Sequence, residues 1–154
     1  MKDLEPLPLS DKISGAPHPS EATTIFGQDS AQQQFLNAFD RGRLHHAWLL
    51  SGPRGVGKAT LVWKIAKFLL TTPNARTQDG LFGAMSQQVS NLETPPDHPA
   101  LPRILAGSEP ALCVLRRSYD EKRKRFKQNI TVDDVRSLKS FFGLSAADGG
   151  ARVV

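Results

Sequence analysis

The clearest chemistry in the chain lies in seven consecutive residues, Gly52-Pro53-Arg54-Gly55-Val56-Gly57-Lys58. Gly-x-x-x-x-Gly-Lys is a phosphate-cradling pattern. Its glycines let the backbone adopt positive φ and approach an anion closely. Successive N–H groups then point inward as a nest. A helix that follows adds its free N–H groups and its positive dipole end, and the lysine brings a mobile cation for β- and γ-phosphates. Two further residues complete the candidate phosphate site. Ala59 stands where such loops carry the Ser or Thr hydroxyl that ligates Mg²⁺. Thr60 has a hydroxyl, but one residue later it is turned about 100° around the helix.

Hydrolysis would also need an acid at the tip of a neighbouring strand. Ala111–Leu115 reads as a buried strand, but Arg116 and Arg117 follow it, and Asp120-Glu121 come too late for its tip. Arg152-Val153-Val154 reads as the start of another strand, with no acid after it in the sequence. No catalytic constellation is complete, so no catalytic residue is assigned.

The surrounding pattern must place the loop between a strand and a helix. His46-Ala47-Trp48-Leu49-Leu50 is a short apolar run ending near glycine, the signature of a buried parallel strand. After the loop, Leu61, Ile65, Phe68 and Leu69 recur at helical spacing up to a stop at Pro73. An earlier helix is expected from Ser30, with Ser30 and Gln33 at capping-box spacing and Ala31, Phe35, Ala38 and Phe39 on one face. Gly42 suits its left-handed C′ position. A last helix is expected after Thr131, with Asp133 and Asp134 in its first turn and Val135, Leu138 and Phe142 facing inward up to Gly143. Ile130 and Val135 have hydrophobic-staple spacing. Residues 1–20, with Pro6, Pro8, Pro17, Pro19 and Gly15, read as an irregular leader. Residues 71–110 are rich in Pro and Gly and read as an irregular insertion, with a short helix near 82–92. The pattern is α/β.

Composition sets bounds. A 39% hydrophobic chain of 154 residues can build a packed core. Its net charge of +5 permits a polyanionic partner. With one cysteine, Cys113, an internal disulfide is excluded and a reducing compartment fits. No apolar run approaches the roughly 18 residues of a membrane span, so a cytoplasmic protein with no membrane partner is expected. Residues 116–127 hold seven basic side chains: Arg116, Arg117, Lys122, Arg123, Lys124, Arg125 and Lys127. That run could meet nucleic acid, with Tyr119 and Phe126 stacking on bases. The plainer expectation is a solvated, mobile loop. His45 and His46 lack metal-ligand spacing and are expected to cap the strand entrance. Trp48 and Trp63 are expected to be buried against the sheet, and Cys113 to be a small core residue.

Several blocks resemble bacterial clamp-loader subunits of DNA polymerase III, the delta prime type most closely. They are Thr24-Ile25-Phe26-Gly27-Gln28, the stretch from Arg43 to Lys58 with its His46-Ala47 and Ser51-Gly52-Pro53, Ile65 to Leu70, Ile130 to Arg136, and Gly149 to Val154. The resemblance covers about residues 17–70 and 98–154. It implies an AAA+ P-loop NTPase fold over 21–154, with a three-layer parallel sheet incomplete at the C-terminus, and an N-terminal fragment of a longer protein. It implies a subunit that helps load the sliding clamp onto primed DNA, beside gamma/tau and delta partners, within a polymerase holoenzyme. A degenerate nucleotide site is implied, and Ala59 agrees: ATP or ADP binding weak or absent, with Mg²⁺ disfavoured. Ile25, Phe26 and Gly27 would flank the adenine pocket. The family's four-cysteine zinc module finds no cysteines in 71–110, and His98 stands alone, so no zinc is expected. Two alternatives stand beside this reading: an active gamma/tau-type ATPase subunit, and a small P-loop kinase.

Overall fold

The computed structural model describes residues 8–72, 89–143 and 150–154. Helix α1 spans Asp29–Asp40 and α2 spans Lys58–Thr71. A short α3 covers Ala100–Leu105. Strands β1, Tyr119–Asp120, and β2, Arg125–Phe126, form an antiparallel hairpin, and α4 spans Val132–Gly143.

Helix α2 organises the packing. Leu61 and Phe68 lie seven residues apart, on one face. They pack with Phe35 and Leu36 of α1 and with Leu92, and Ile65, Phe39 and Leu50 border the cluster. Phe68 meets Phe39 and Phe35 edge-on, at centroid distances of 4.9 and 6.3 Å. Trp63, two residues from Leu61, lies about 200° round the helix. It packs with Ala100 and Ile104 of α3.

Helix ends are set by chemistry near the expected positions. At the end of α1, Gly42 takes φ 61°. Its N–H donates to Phe39 O at 2.9 Å, and Arg43 N–H donates to Ala38 O at 3.0 Å. This pair of bonds is a Schellman close. At its start the expected Ser30 cap is not formed. The helix begins one residue earlier, with Gln28 at the N-cap and no side-chain cap bond. Gln33 instead donates to Asn37 Oδ1 at 3.1 Å along the helix. For α4 a capping box does form. Asp134 N–H donates to Thr131 Oγ1 at 3.3 Å, and Thr131 N–H donates to Asp134 Oδ2 at 2.7 Å. Hydrogen bonding from the Thr131 hydroxyl and then its N–H holds the Asp134 carboxyl below the usual range.

The structure departs from further expectations. The region read as irregular contains α3. Pro102 sits in its first turn, where an N–H would have no helical partner, and so does not break it. Of the helix expected near 82–92, positions 82–88 lie outside the described residues and 89–92 are not helical. The inward face predicted for α4 is largely open: Leu138 is half-buried, but Val135 is 49% and Phe142 59% exposed, because no described element covers them. Instead Phe141 packs beneath the Arg152 guanidinium, 4.3 Å from its ring centroid.

The parallel three-layer sheet is not formed among the described residues. The 46–50 run pairs with no described strand; Leu49 is 92% exposed, and His45 and His46 are exposed beside it. Trp48 is 38% exposed rather than buried, with its ring 5.4 Å from that of Phe35. What exists of a parallel ladder is a single bridge, Leu112 with Val153. Cys113 N–H donates to Val153 O and Val153 N–H to Ala111 O, each at 2.9 Å. A lone bridge leaves most ladder groups without strand partners, which is why the expected strands are not defined as such. Cys113 is half-buried there.

The leader is tied down by charge. Asp11 Oδ2 accepts from Arg116 Nε at 2.7 Å and lies 3.1 Å from His18 Nε2. His18, 6% exposed, contacts Ser20 Oγ at 2.7 Å through Nδ1 and meets the Trp63 ring edge-on at 5.6 Å. Burial alone opposes ionisation of Asp11. The Arg116 hydrogen bond and charge, a backbone bond and His18 together outweigh it and lower its pKa.

Two predictions follow from this packing. Phe68→Ala should destabilise the chain by about 3–5 kcal/mol, the range for truncating a buried aromatic. Val62→Ala, at a half-exposed position of the same helix, should cost far less; urea midpoints compare them. Because the pKa of Asp11 is depressed on folding, its contribution is present above the ordinary value of 3.8 and lost as pH falls through the lower folded value. Asp11→Asn should therefore weaken the chain at pH 7 and leave a much smaller deficit at pH 2–3, read by denaturant unfolding at both pH values.

Candidate functional site

The glycine loop is built as its spacing requires. Gly52, Gly55 and Gly57 take φ 146°, 89° and 87°, all in the range that side chains disfavour. Gly57 is the left-handed N-cap of α2, so Lys58, Ala59 and Thr60 form the helix's first turn. Their N–H groups, like others at a helix start, have no partner within the helix. The loop from Ser51 to Val56 is solvent-exposed, Arg54 included.

Lys58 closes the loop on itself. Its Nζ donates to Gly52 O at 2.9 Å and to Pro53 O at 2.6 Å, bridging the loop's entry from the helix side. The structure thus brings Gly52, Pro53 and Lys58 together around one cation. Ala59 is exposed and carries no oxygen, and Thr60 is half-buried on a different side of the helix. Among the described residues no cluster of three His, Cys, Asp or Glu side chains is placed to hold a metal. His98 has a structural task instead: its Nδ1 accepts from Ala100 N–H at 3.2 Å, at the start of α3.

Of the residues expected at the base pocket, Ile25 reaches the loop. Its side chain lies 3.8 Å from where a Cβ on Gly57 would sit. Phe26 is 86% exposed, and Gly27 turns the chain at φ 69° into α1. One supporting residue was missed by sequence reasoning. Gln28 Nε2 donates to Val56 O at 2.6 Å, fastening the loop to the start of α1. Gln28 closes the Thr24–Gln28 block of the resemblance, but nothing in that block assigned it a role. Beside the loop a cavity of about 400 Å³ opens between α1, residues 48–53 and the Leu61–Ile65 side of α2.

A glycine loop with a lysine, feeding the N-terminus of a packed helix, is the architecture of the P-loop class. Within that class the chain has a definite place. Residues 27–154 match the family model described as DNA polymerase III, delta subunit, and the chain belongs to this family of DNA polymerase III clamp-loader proteins. It is 49% identical over 51 residues to the DNA polymerase III subunit gamma of Buchnera aphidicola subsp. Schizaphis graminum, covering 33% of this chain and 14% of that protein. It is 39% identical over 51 residues to the subunit tau of Escherichia coli K12, covering 33% of this chain and 8% of that protein. The chain therefore spans a small part of the curated relatives it matches. No solved structure matches it at a significant level. No helix among the described residues is long and apolar enough to cross a membrane.

The left-handed N-cap gives a direct test of the loop's build. Gly57→Ala should cost about 1–2 kcal/mol from backbone strain, although a methyl group has room there. Gly143→Ala, at a helical glycine without positive φ, should not destabilise; thermal unfolding of the two variants compares them.

Proposed function

We propose that this chain provides the P-loop region of a bacterial clamp-loader subunit that helps place the sliding clamp on primed DNA. In this reading it is a delta prime-type subunit, working in the cytoplasm beside gamma/tau and delta partners. Its AAA+ domain has a parallel sheet, a reading supported by the parallel bridge between Leu112 and Val153. Its site binds nucleotide weakly and does not turn it over. Gly52 to Lys58 surround the phosphates, contacting them through the backbone N–H groups of the residues other than Pro53 and through the lysine. Ile25, Phe26 and Gly27 border the base, an assignment supported by the nearness of Ile25, whose side chain lies 3.8 Å from where a Cβ on Gly57 would sit.

The observation that carries this reading is Ala59. It occupies the helical position after Lys58, where a P-loop ATPase places its magnesium hydroxyl. Without that oxygen the metal loses a protein ligand, and the phosphates keep only the loop and one cation. The named relatives favour a second reading, an active gamma/tau-type ATPase, because both are gamma or tau subunits.

Titration of the intact protein with fluorescent ATP, with and without Mg²⁺, separates the two. A degenerate site gives weak binding that Mg²⁺ does not strengthen, and Ala59→Ser restores a magnesium response. Tight magnesium-dependent binding and ATP turnover by the unaltered protein would establish the active reading instead. Lys58→Ala should remove whatever affinity there is.

A further inference from the structure

Part of the basic run, read from its charge as a solvated, mobile loop, is paired as a short hairpin. Tyr119 pairs with Phe126, and Asp120 with Arg125. The two rings meet edge-on at 5.2 Å and pin the hairpin, while Lys127 N–H donates to Ser118 O at 2.9 Å and extends it. The turn is fixed by Asp120, whose Oδ1 accepts from Arg123 N–H at 3.0 Å, and by Lys124 at φ 49°. Lys122, Arg123, Lys124, Arg125 and Lys127 are all exposed.

A groove of about 560 Å³ runs between this hairpin and the approach to α4. Arg123, Arg125 and Lys127 line it with the amides Gln128 and Asn129 and with Phe126. Asp120 also borders it, but that carboxylate is engaged by the turn and lies 3.8 Å from Arg123 Nε. Cations and amide donors along a groove, with an aromatic residue in its lining, match a chain of phosphodiesters. The tip, Glu121 to Lys124, has no apolar side chain to enter a lipid layer.

We propose that the β1–β2 hairpin and its groove form a nucleic-acid surface that grips the phosphate backbone without reading sequence. This deepens the clamp-loader reading by naming where the chain meets its polyanion, yet it makes no use of the glycine loop.

The test uses the intact protein and a fluorescein-labelled primed duplex, with anisotropy read from 50 to 300 mM KCl. Lys122→Gln/Arg125→Gln/Lys127→Gln removes three exposed cations and leaves the turn and the aromatic pair in place. Affinity at low salt should fall at least about 10-fold, and the slope of log affinity against log salt should shrink by about 2–3. Substituting duplexes of unrelated sequence should change little. A control, Arg41→Gln/Arg43→Gln, alters two exposed cations elsewhere and should bind as the unaltered protein does. An unchanged slope in the triple variant, or an equal loss in the control, overturns the proposal. So does sedimentation with phosphatidylserine vesicles that depends on the hairpin while DNA binding does not. ATP titration of the triple variant keeps the two readings apart, because loss of DNA binding with unchanged nucleotide binding isolates the hairpin.

Discussion

The two-sided burial of α2 is the constraint on which the rest of this structure depends. One side carries Leu61, Ile65 and Phe68 against α1, and the other carries Trp63 against α3 and His18 of the leader. A helix gripped on one side can still rock about its contact line. Gripped on two, it is fixed in direction, and its N-terminus is fixed with it. The glycine loop gains its geometry from this. Gly57 delivers the chain into a helix packed on two sides, and Gln28 holds the loop from the α1 side, with Ile25 close to Gly57.

The parts of this arrangement legible in the sequence were those set by local rules. The Gly52–Lys58 spacing, the helical period from Leu61 to Leu69, and the glycine at position 42 each act within a few residues, so each could be read without knowing the fold. The Thr131 cap is of the same kind. What escaped was set by distance. The helix at Ala100–Leu105 was hidden among prolines, because a proline count says nothing about which turn a proline occupies. Its end is closed like that of α1, by Gly107 at φ 68° with Ser108 N–H on Arg103 O at 2.8 Å. The exposure of Phe142 and Leu49 depends on what lies against them, which no local pattern encodes.

The expected strands are less complete than the helices among the described residues for a related reason. An apolar run such as 46–50 becomes a strand only when neighbours accept its N–H and C=O groups. The helix next to it needs no such neighbour, since its hydrogen bonds close within itself. Helices of this chain are therefore well formed where the expected sheet is reduced to one bridge at Leu112 and Val153. The phosphate loop survives that difference because its shape comes from glycine dihedrals and from α2, not from a ladder.

The cations of residues 116–127 divide by their neighbours. Arg116 is half-buried and spends its charge on Asp11, beside His18 and 6.0 Å from the centroid of the Trp63 ring. That ion pair is intramolecular and partly shielded, so dissolved salt screens it less than it screens exposed charge. Beyond Ser118 the hairpin leaves Lys122 to Arg125 and Lys127 exposed; Arg123 lies 3.8 Å from the Asp120 carboxylate through an exposed guanidinium, and the charge of Lys127 acts on the Asp134 carboxylate. Exposed pairs of that kind contribute little to folding. A chain that needed these charges for stability would have paired them as it paired Arg116. Instead it spends an aromatic pair and a fixed turn on holding them in one place. If the hairpin is the nucleic-acid surface proposed above, a preformed turn of this kind would lower the entropic cost of gathering several phosphates at once.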